Sequence, residues 1–88
     1  MIKKKLTITN QLGLHARASM KLHDLANRFE SRVNIQTSTT CIDAKDILEI
    51  MSLAASKGSD ITLTCDGPDE KSAINDISRL IENKFDEE

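Results

Sequence analysis

Tryptophan and tyrosine are absent from the 88 residues, and phenylalanine occurs only twice. With no side chains to stack on bases and a formal net charge of −2, the chain lacks the basic, aromatic face of a nucleic-acid binder. No run approaches the roughly 20 consecutive apolar residues that cross a bilayer, so no membrane span is expected. Met1-Ile2-Lys3-Lys4-Lys5 leads into alternating residues rather than the apolar stretch of a signal peptide, and the expected location is the cytoplasm. Cysteine is scarce too. Cys41 and Cys65 sit far apart in strand-like runs without clustered ligands, which predicts neither a metal site nor a disulfide but two buried structural thiols. Linkers, repeats and low-complexity tracts are missing, apart from the acidic ending Asp86-Glu87-Glu88, which is expected to be solvated and frayed. One domain spanning residues 1–88 is expected, with a core large enough to fold alone but little margin.

What the chain does have is clear periodicity. Lys3 to Thr9 alternates with Leu6 and Ile8 on one face, and Arg32 to Thr37 alternates with Val33 and Ile35 inward, predicting two half-buried strands. Ser38-Thr39-Thr40 is a plausible hairpin connection into a short third strand at Cys41-Ile42, and Ile61, Leu63 and Cys65 mark a fourth. Ala18, Leu22, Leu25, Ala26 and Phe29 recur at steps of three and four, which predicts an amphipathic helix from Ala16 to Phe29. A second helix is expected from Asp46 to Ala55, ended by Lys57-Gly58. Gly67-Pro68-Asp69-Glu70 opens a third, whose apolar face carries Ala73, Ile74, Ile77, Leu80, Ile81 and Phe85. The order is βαββαβα, a two-layer α+β sandwich. The second helix holds Ile47, Leu48, Ile50, Met51, Leu53 and Ala54, too many apolar residues for one buried stripe. Some must be exposed, and an exposed apolar patch on a small protein marks a docking surface.

Chemistry concentrates in Gly13-Leu14-His15-Ala16-Arg17-Ala18-Ser19. His15 stands where a glycine turn runs into a helix, and a helix N-terminus carries unpaired amides and partial positive charge. No Ser, Thr, Asp or Asn caps that start, so the amides of Ala16, Arg17 and Ala18 are open to an anion such as phosphate. An imidazole is largely neutral near pH 7 and can act as a nucleophile, while Arg17 offers a fork of donors to phosphoryl oxygens. On these residues alone two readings stand side by side: a reversible phosphoryl acceptor, or a histidine exposed to solvent with no role. His23, eight residues on along the same helix, reads as an exposed bystander. Ser52 and Ser56 read as packing or surface residues rather than phosphorylation sites.

Gly13-Leu14-His15-Ala16-Arg17 followed by Met20-Lys21-Leu22 resembles the active-site signature of the HPr phosphocarriers of the bacterial phosphoenolpyruvate phosphotransferase system. The resemblance continues at Ala44-Lys45-Asp46-Ile47-Leu48, Met51-Ser52-Leu53, Ala55-Ser56-Lys57-Gly58 and Gly67-Pro68-Asp69-Glu70, and so covers essentially the whole chain. It implies an open-faced β-sandwich: a four-stranded antiparallel sheet with three helices on one face. It further implies that His15 accepts a phosphoryl group on Nδ1 from enzyme I and passes it to an enzyme IIA protein. Arg17 would then stabilise the phosphate with the amides at the helix start, and Met20, Ile47, Leu48 and Met51 would be docking residues. No cofactor, no metal, no nucleic acid and no membrane are implied, and the carrier would be a monomer and a stoichiometric component rather than an enzyme.

The chain departs from the family pattern in three places. Ala18 stands where many members have proline, a change the helix tolerates. Asp46 replaces a serine that a dedicated kinase phosphorylates in some relatives, so that switch is lost. Two readings of Asp46 remain open, a helix cap and a fixed negative charge that partly mimics phosphoserine. Glu49 adds a second negative charge beside the apolar patch. Met20-Lys21-Leu22, Asp46 and the ending Lys84-Phe85-Asp86-Glu87-Glu88 look more like the nitrogen-related (NPr-like) branch than the sugar-uptake branch. Two competing classes are a binding module of the same fold that transfers nothing, and an unrelated small-molecule-binding domain.

Overall fold

The computed structural model describes residues 1–53 and 55–86. Its elements run β1 (Ile2–Thr7), α1 (Ala16–Ala26), β2 (Arg32–Gln36), β3 (Cys41–Asp43), α2 (Ile47–Leu53), β4 (Asp60–Asp66) and α3 (Glu70–Glu82). A 3₁₀ turn, Lys84–Asp86, follows. The strands form one antiparallel sheet in the order β1-β4-β2-β3. Register is set by the apolar alternation: Leu6 pairs with Ile61, Ile35 with Leu63 and Ile42, and Val33 with Cys65, so these side chains share the inner face. The helices cover that face. Ala18, Leu22 and Ala26 of α1, Ile50 of α2, and Ala73, Ile77 and Ile81 of α3 meet them in one cluster and are fully buried. Small residues at three of the α1 and α3 positions let those helices lie close to the sheet.

Element ends depart from the periodicity for identifiable reasons. Helix α1 stops at Ala26 rather than Phe29. There the Arg28 and Phe29 amides tighten onto Leu25 and Ala26 three residues back, and the Asn27 side chain donates to the His23 carbonyl at 2.9 Å. Helix α2 stops at Leu53, short of the expected end at Ala55; Ala54 lies outside the described residues. Lys57-Gly58 does not cap it. The Gly58 amide instead donates to the Ile8 carbonyl at 2.7 Å, and the Ile8 amide donates to the Ser59 carbonyl, tying the segment after α2 to the end of β1.

Phe85 does not continue the α3 stripe. Lys84, Phe85 and Asp86 take left-handed backbone angles (φ 57°, 55° and 60°), which swing the ring into the core, where it is fully buried. Asp86 is exposed, with its amide on the Asn83 carbonyl, while Glu87 and Glu88 of the expected frayed ending lie outside the described residues. Cys41 corrects an expectation: it is exposed, because β3 points Ile42 inward and alternation turns its neighbour to the open face. Cys65 is buried as expected, and burial pushes its thiol up to about 11.

Asp69 precedes α3 but makes no side-chain cap to it. Its carboxylate reaches across to the turn before β2, accepting bonds from the Ser31 hydroxyl and from the Glu30 and Ser31 amides, both at 2.9 Å. The Ser31 hydroxyl first, then the Glu30 amide, hold this carboxyl below its ordinary range. A lowered native pKa contributes stability that is present above the unfolded value of about 3.9 and is lost as pH falls through the native value. Asp69→Asn is therefore expected to lower the melting temperature at pH 7. The gap should narrow below about pH 4 and close once wild-type Asp69 is protonated. A gap that persists unchanged at acid pH in thermal melts would show that the carboxylate charge is not what holds this turn.

Candidate functional site

Helix α1 starts where the turn from Asn10 to Leu14 is pressed against the segment after α2. Gly13 has φ +64°, and a Cβ placed on it would lie 2.6 Å from the Ala55 carbonyl oxygen and 2.8 Å from Ser56 Cα. Only glycine fits both the left-handed backbone and that approach. The Leu14 amide then donates to the same Ala55 carbonyl at 2.8 Å, and the buried Asn10 side chain donates to the Gly13 carbonyl at 2.7 Å. These bonds deliver the chain to His15 in extended conformation (φ −78°, ψ −178°), the N-cap position of α1.

His15 is half-buried and makes no side-chain cap bond to the helix. The Ser19 amide is the first to bond back, to the His15 carbonyl at 2.8 Å, which leaves the amides of Ala16, Arg17 and Ala18 ahead of the helical ladder. No acidic residue occupies the first turn. Ala18 and Ser19 are buried and fix the inward side, with the Ser19 hydroxyl on the Leu14 carbonyl at 3.3 Å. Arg17 is exposed and forms no ion pair among the described residues. The structure therefore brings together an imidazole, a guanidinium and a helix start with its positive end uncapped, a combination suited to a tetrahedral oxyanion. Among the described residues no group of three or more His, Cys, Asp or Glu is arranged to hold a metal. Nor, among the described residues, is any helix long and apolar enough to cross a membrane.

The residues expected to dock partners lie beside this start. Met20 is 47%, Leu48 76% and Met51 49% exposed, while Ile47 is half-buried. Helix α2 has seven residues and buries Ile50 fully; Leu53 packs partly against the core, while Leu48 and Met51 are left outward. Asp46 settles into the cap geometry: its Oδ1 accepts from the Leu48 amide at 3.0 Å and the Glu49 amide at 3.3 Å. His23 differs from expectation in being only partly exposed, with Nδ1 3.3 Å from Asp24 Oδ1. Ser52 donates to the Glu49 carbonyl and the Ser56 amide donates to the Ser59 hydroxyl, so both serines have structural partners. Periodicity did not reveal the seat that Ala55 and Ser56 form for Gly13. The sequence signal for it is the glycine two residues before His15.

A βαββαβα sandwich of one antiparallel sheet under three helices is the architecture of the HPr phosphocarriers. The model of the PTS HPr component phosphorylation site family matches residues 2–83, and the chain belongs to the HPr family. It is 48% identical to the phosphocarrier protein HPr of Cupriavidus necator, over 99% of this chain and 98% of that one. An HPr crystal structure from Thermoanaerobacter tengcongensis superposes with a TM-score of 0.96 at 38% identity, covering 100% of this chain and 99% of that one. A dimeric HPr structure from the same organism gives 0.77 at 36% identity, covering 97% and 98%.

Substitutions at two positions test the local architecture. Gly13→Ala is expected to destabilise the fold by more than about 1 kcal/mol in denaturant titration, since strain and collision add. Asp46→Ala should cost about 1 kcal/mol, whereas Asp46→Ser, which keeps a capping oxygen, should cost a few tenths. Equal losses for the two Asp46 variants would contradict a capping role.

Proposed function

We propose that this chain is a histidine phosphocarrier of the phosphoenolpyruvate phosphotransferase system. The observation that carries the reading is His15 at the uncapped N-terminus of α1, beside an exposed Arg17 that forms no ion pair among the described residues, within the matched family segment. In this reading the Nδ1 lone pair forms the new P–N bond as the P–N bond of phosphohistidine in enzyme I breaks, and the departing imidazole keeps the electron pair. The same chemistry then passes the group to a histidine of an enzyme IIA protein. The amides of Ala16, Arg17 and Ala18, the helix dipole and the Arg17 guanidinium offset the added charge. Nothing needs to bind in a pocket, because the substrate arrives on another protein. Met20, Ile47, Leu48 and Met51 supply the apolar contact for that protein. The carrier is stoichiometric rather than an enzyme, needs no cofactor, acts as a single cytoplasmic domain, and meets its partners as a monomer.

Asp46 removes the serine switch and leaves a carboxylate that caps α2 while its second oxygen adds charge beside the patch. Together with Met20-Lys21-Leu22, this favours the nitrogen-related, regulatory branch over sugar uptake. Incubation with phosphoenolpyruvate, magnesium and an enzyme I from each branch is expected to add one acid-labile phosphoryl group by intact mass, fastest with the nitrogen-related enzyme. His15→Ala should add none while keeping a cooperative thermal transition. Phosphate on the His15→Ala protein would displace His15 from its role, and no phosphate on wild type would leave a binding module.

A further inference from the structure

The sheet order β1-β4-β2-β3 leaves β1 and β3 each with a free edge. A free edge presents unpaired amides and carbonyls on alternate residues and is a template for another strand. Strand β3 is a poor template. It has three residues, and its Asp43 amide already donates to Glu49 Oε1 at 3.3 Å. Strand β1 is longer, with six residues, and Lys3, Lys4 and Lys5 along it are all exposed. Alternation sends Lys3 and Lys5 to the open face, opposite Thr64 and Thr62. Lys4 points to the helix-covered face, between Ile2 and Leu6 and opposite the buried Leu63, where an apolar residue is expected. Its ammonium reaches the flank of α3, donating to the Ser78 hydroxyl at 3.4 Å and pairing with Glu82 at 3.7 Å. The side chain stays 45% exposed, and an ion pair so open to water adds little to stability.

We propose that Lys4 keeps two copies of this chain from joining their sheets edge to edge through β1. Two-fold pairing of the same edge, with both apolar faces on one side, is antiparallel and sets inward residues opposite inward residues. Only alternate registers meet that condition. The register that sets Ile2 opposite Leu6 of the second copy pairs residues 2–6 of each strand. It also sets Lys4 opposite Lys4 and Lys3 opposite Lys5. Opposed Cβ atoms lie about 5 Å apart, inside the Debye length of about 8 Å at physiological salt, so these like charges repel. Sliding one strand by two residues pairs residues 3–7, but then Lys5 faces Lys5 and Lys4 is set against Leu6. Every other register that keeps the faces pairs fewer residues. Lys3 and Lys5 stand on the open face, where long side chains can splay apart into water. Lys4 cannot follow them, because its stem lies beside α3, and two opposed Lys4 side chains are confined together. This role rests on the monomer reading proposed above and not on phosphate at His15.

The test is size-exclusion chromatography with light scattering, from about 10 µM to about 1 mM chain, joined to amide deuterium exchange. Wild type and Lys4→Arg are expected to be monomeric throughout. Lys4→Val should form a dimer whose share rises with concentration, and Lys4→Thr, uncharged but polar, a weaker one. In either dimer the β1 amides that face the free edge should exchange about tenfold more slowly or less, while those of α1 and α2 stay unchanged. A cooperative melt at the lowest concentration separates pairing of folded chains from association of unfolded ones; if Lys4→Val lacks one, Lys4→Thr carries the test. Folded Lys4 variants that remain monomeric overturn the proposal, as does a wild-type dimer protected at β1 or a Lys4→Arg dimer equal to that of Lys4→Val. New protection at β3, α1 or α2 in place of β1 overturns it in favour of another face. A dimer that survives dilution with no new protection at β1 overturns it in favour of strand exchange. Phosphate on wild type, read separately by intact mass, leaves the carrier reading standing whichever way these results fall.

Discussion

The contact between Gly13 and the Ala55–Ser56 backbone is the constraint on which the site depends. At 2.6 Å from a hypothetical Cβ to a carbonyl oxygen, no side chain is admitted, and φ +64° removes the remaining alternatives to glycine. Because the Ala55 carbonyl also accepts the Leu14 amide, the chain cannot drift away from that seat without losing a buried bond. The consequence propagates in both directions. Upstream, Ile8 is tied to Gly58 and Ser59, so the end of β1 and the segment entering β4 close together. Downstream, His15 is left extended at the first turn of α1, with its carbonyl starting the helix and its side chain uncommitted to capping.

An uncapped helix start is a cost that a stable fold ordinarily avoids, by about 1 kcal/mol for a missing cap. The two helices around the patch treat that cost differently. Helix α2, with seven residues, is too short to persist on its own propensity and depends on the Asp46 cap and on Ile50 in the core. Helix α1 has eleven residues and a buried stripe of Ala18, Ser19, Leu22 and Ala26, so tertiary packing holds it and its first amides can stay available. Folding has no use for Leu48 at 76% exposure or for an exposed Arg17 with no ion pair among the described residues. In the proposed carrier such residues serve encounters with other molecules.

Those features that depend on one face or one turn were legible in the sequence. Alternation at Leu6–Ile8, Val33–Ile35 and Ile61–Cys65 placed three strands because each buries a single face against the helices. The surplus of apolar residues in α2 announced its exposed patch by counting alone. What stayed hidden depended on contacts distant in sequence. Apolar spacing runs on to Phe29, but Asn27 ends α1 with its side chain. Gly58 resembles a helix stop, yet its amide serves Ile8, fifty residues away in the chain. Cys41 fell on the wrong side because a strand of three residues has no pattern to fix its phase. Asp69 stands where an N-cap is expected, and its carboxylate clamps Ser31 instead.

The same long-range contacts explain how α1 can present His15 as a fixed platform. The helix is held at its start by Leu14 on the Ala55 carbonyl at 2.8 Å and at its end by Asn27 on the Lys45 carbonyl at 3.3 Å. Between them the Lys21 ammonium donates to the Phe85 carbonyl at 2.7 Å. That third tie explains why three consecutive non-glycine residues tolerate left-handed angles, each at a cost of about 1–2 kcal/mol. Burial of the Phe85 ring and a charged donor on its carbonyl together offset the strain, and the reward is a C-terminal turn locked against α1. These three ties hold α1 against the segments around it. In the proposed transfer the donors must already stand where phosphoryl charge arrives, and preorganisation of this kind avoids reorganising them at the moment of reaction.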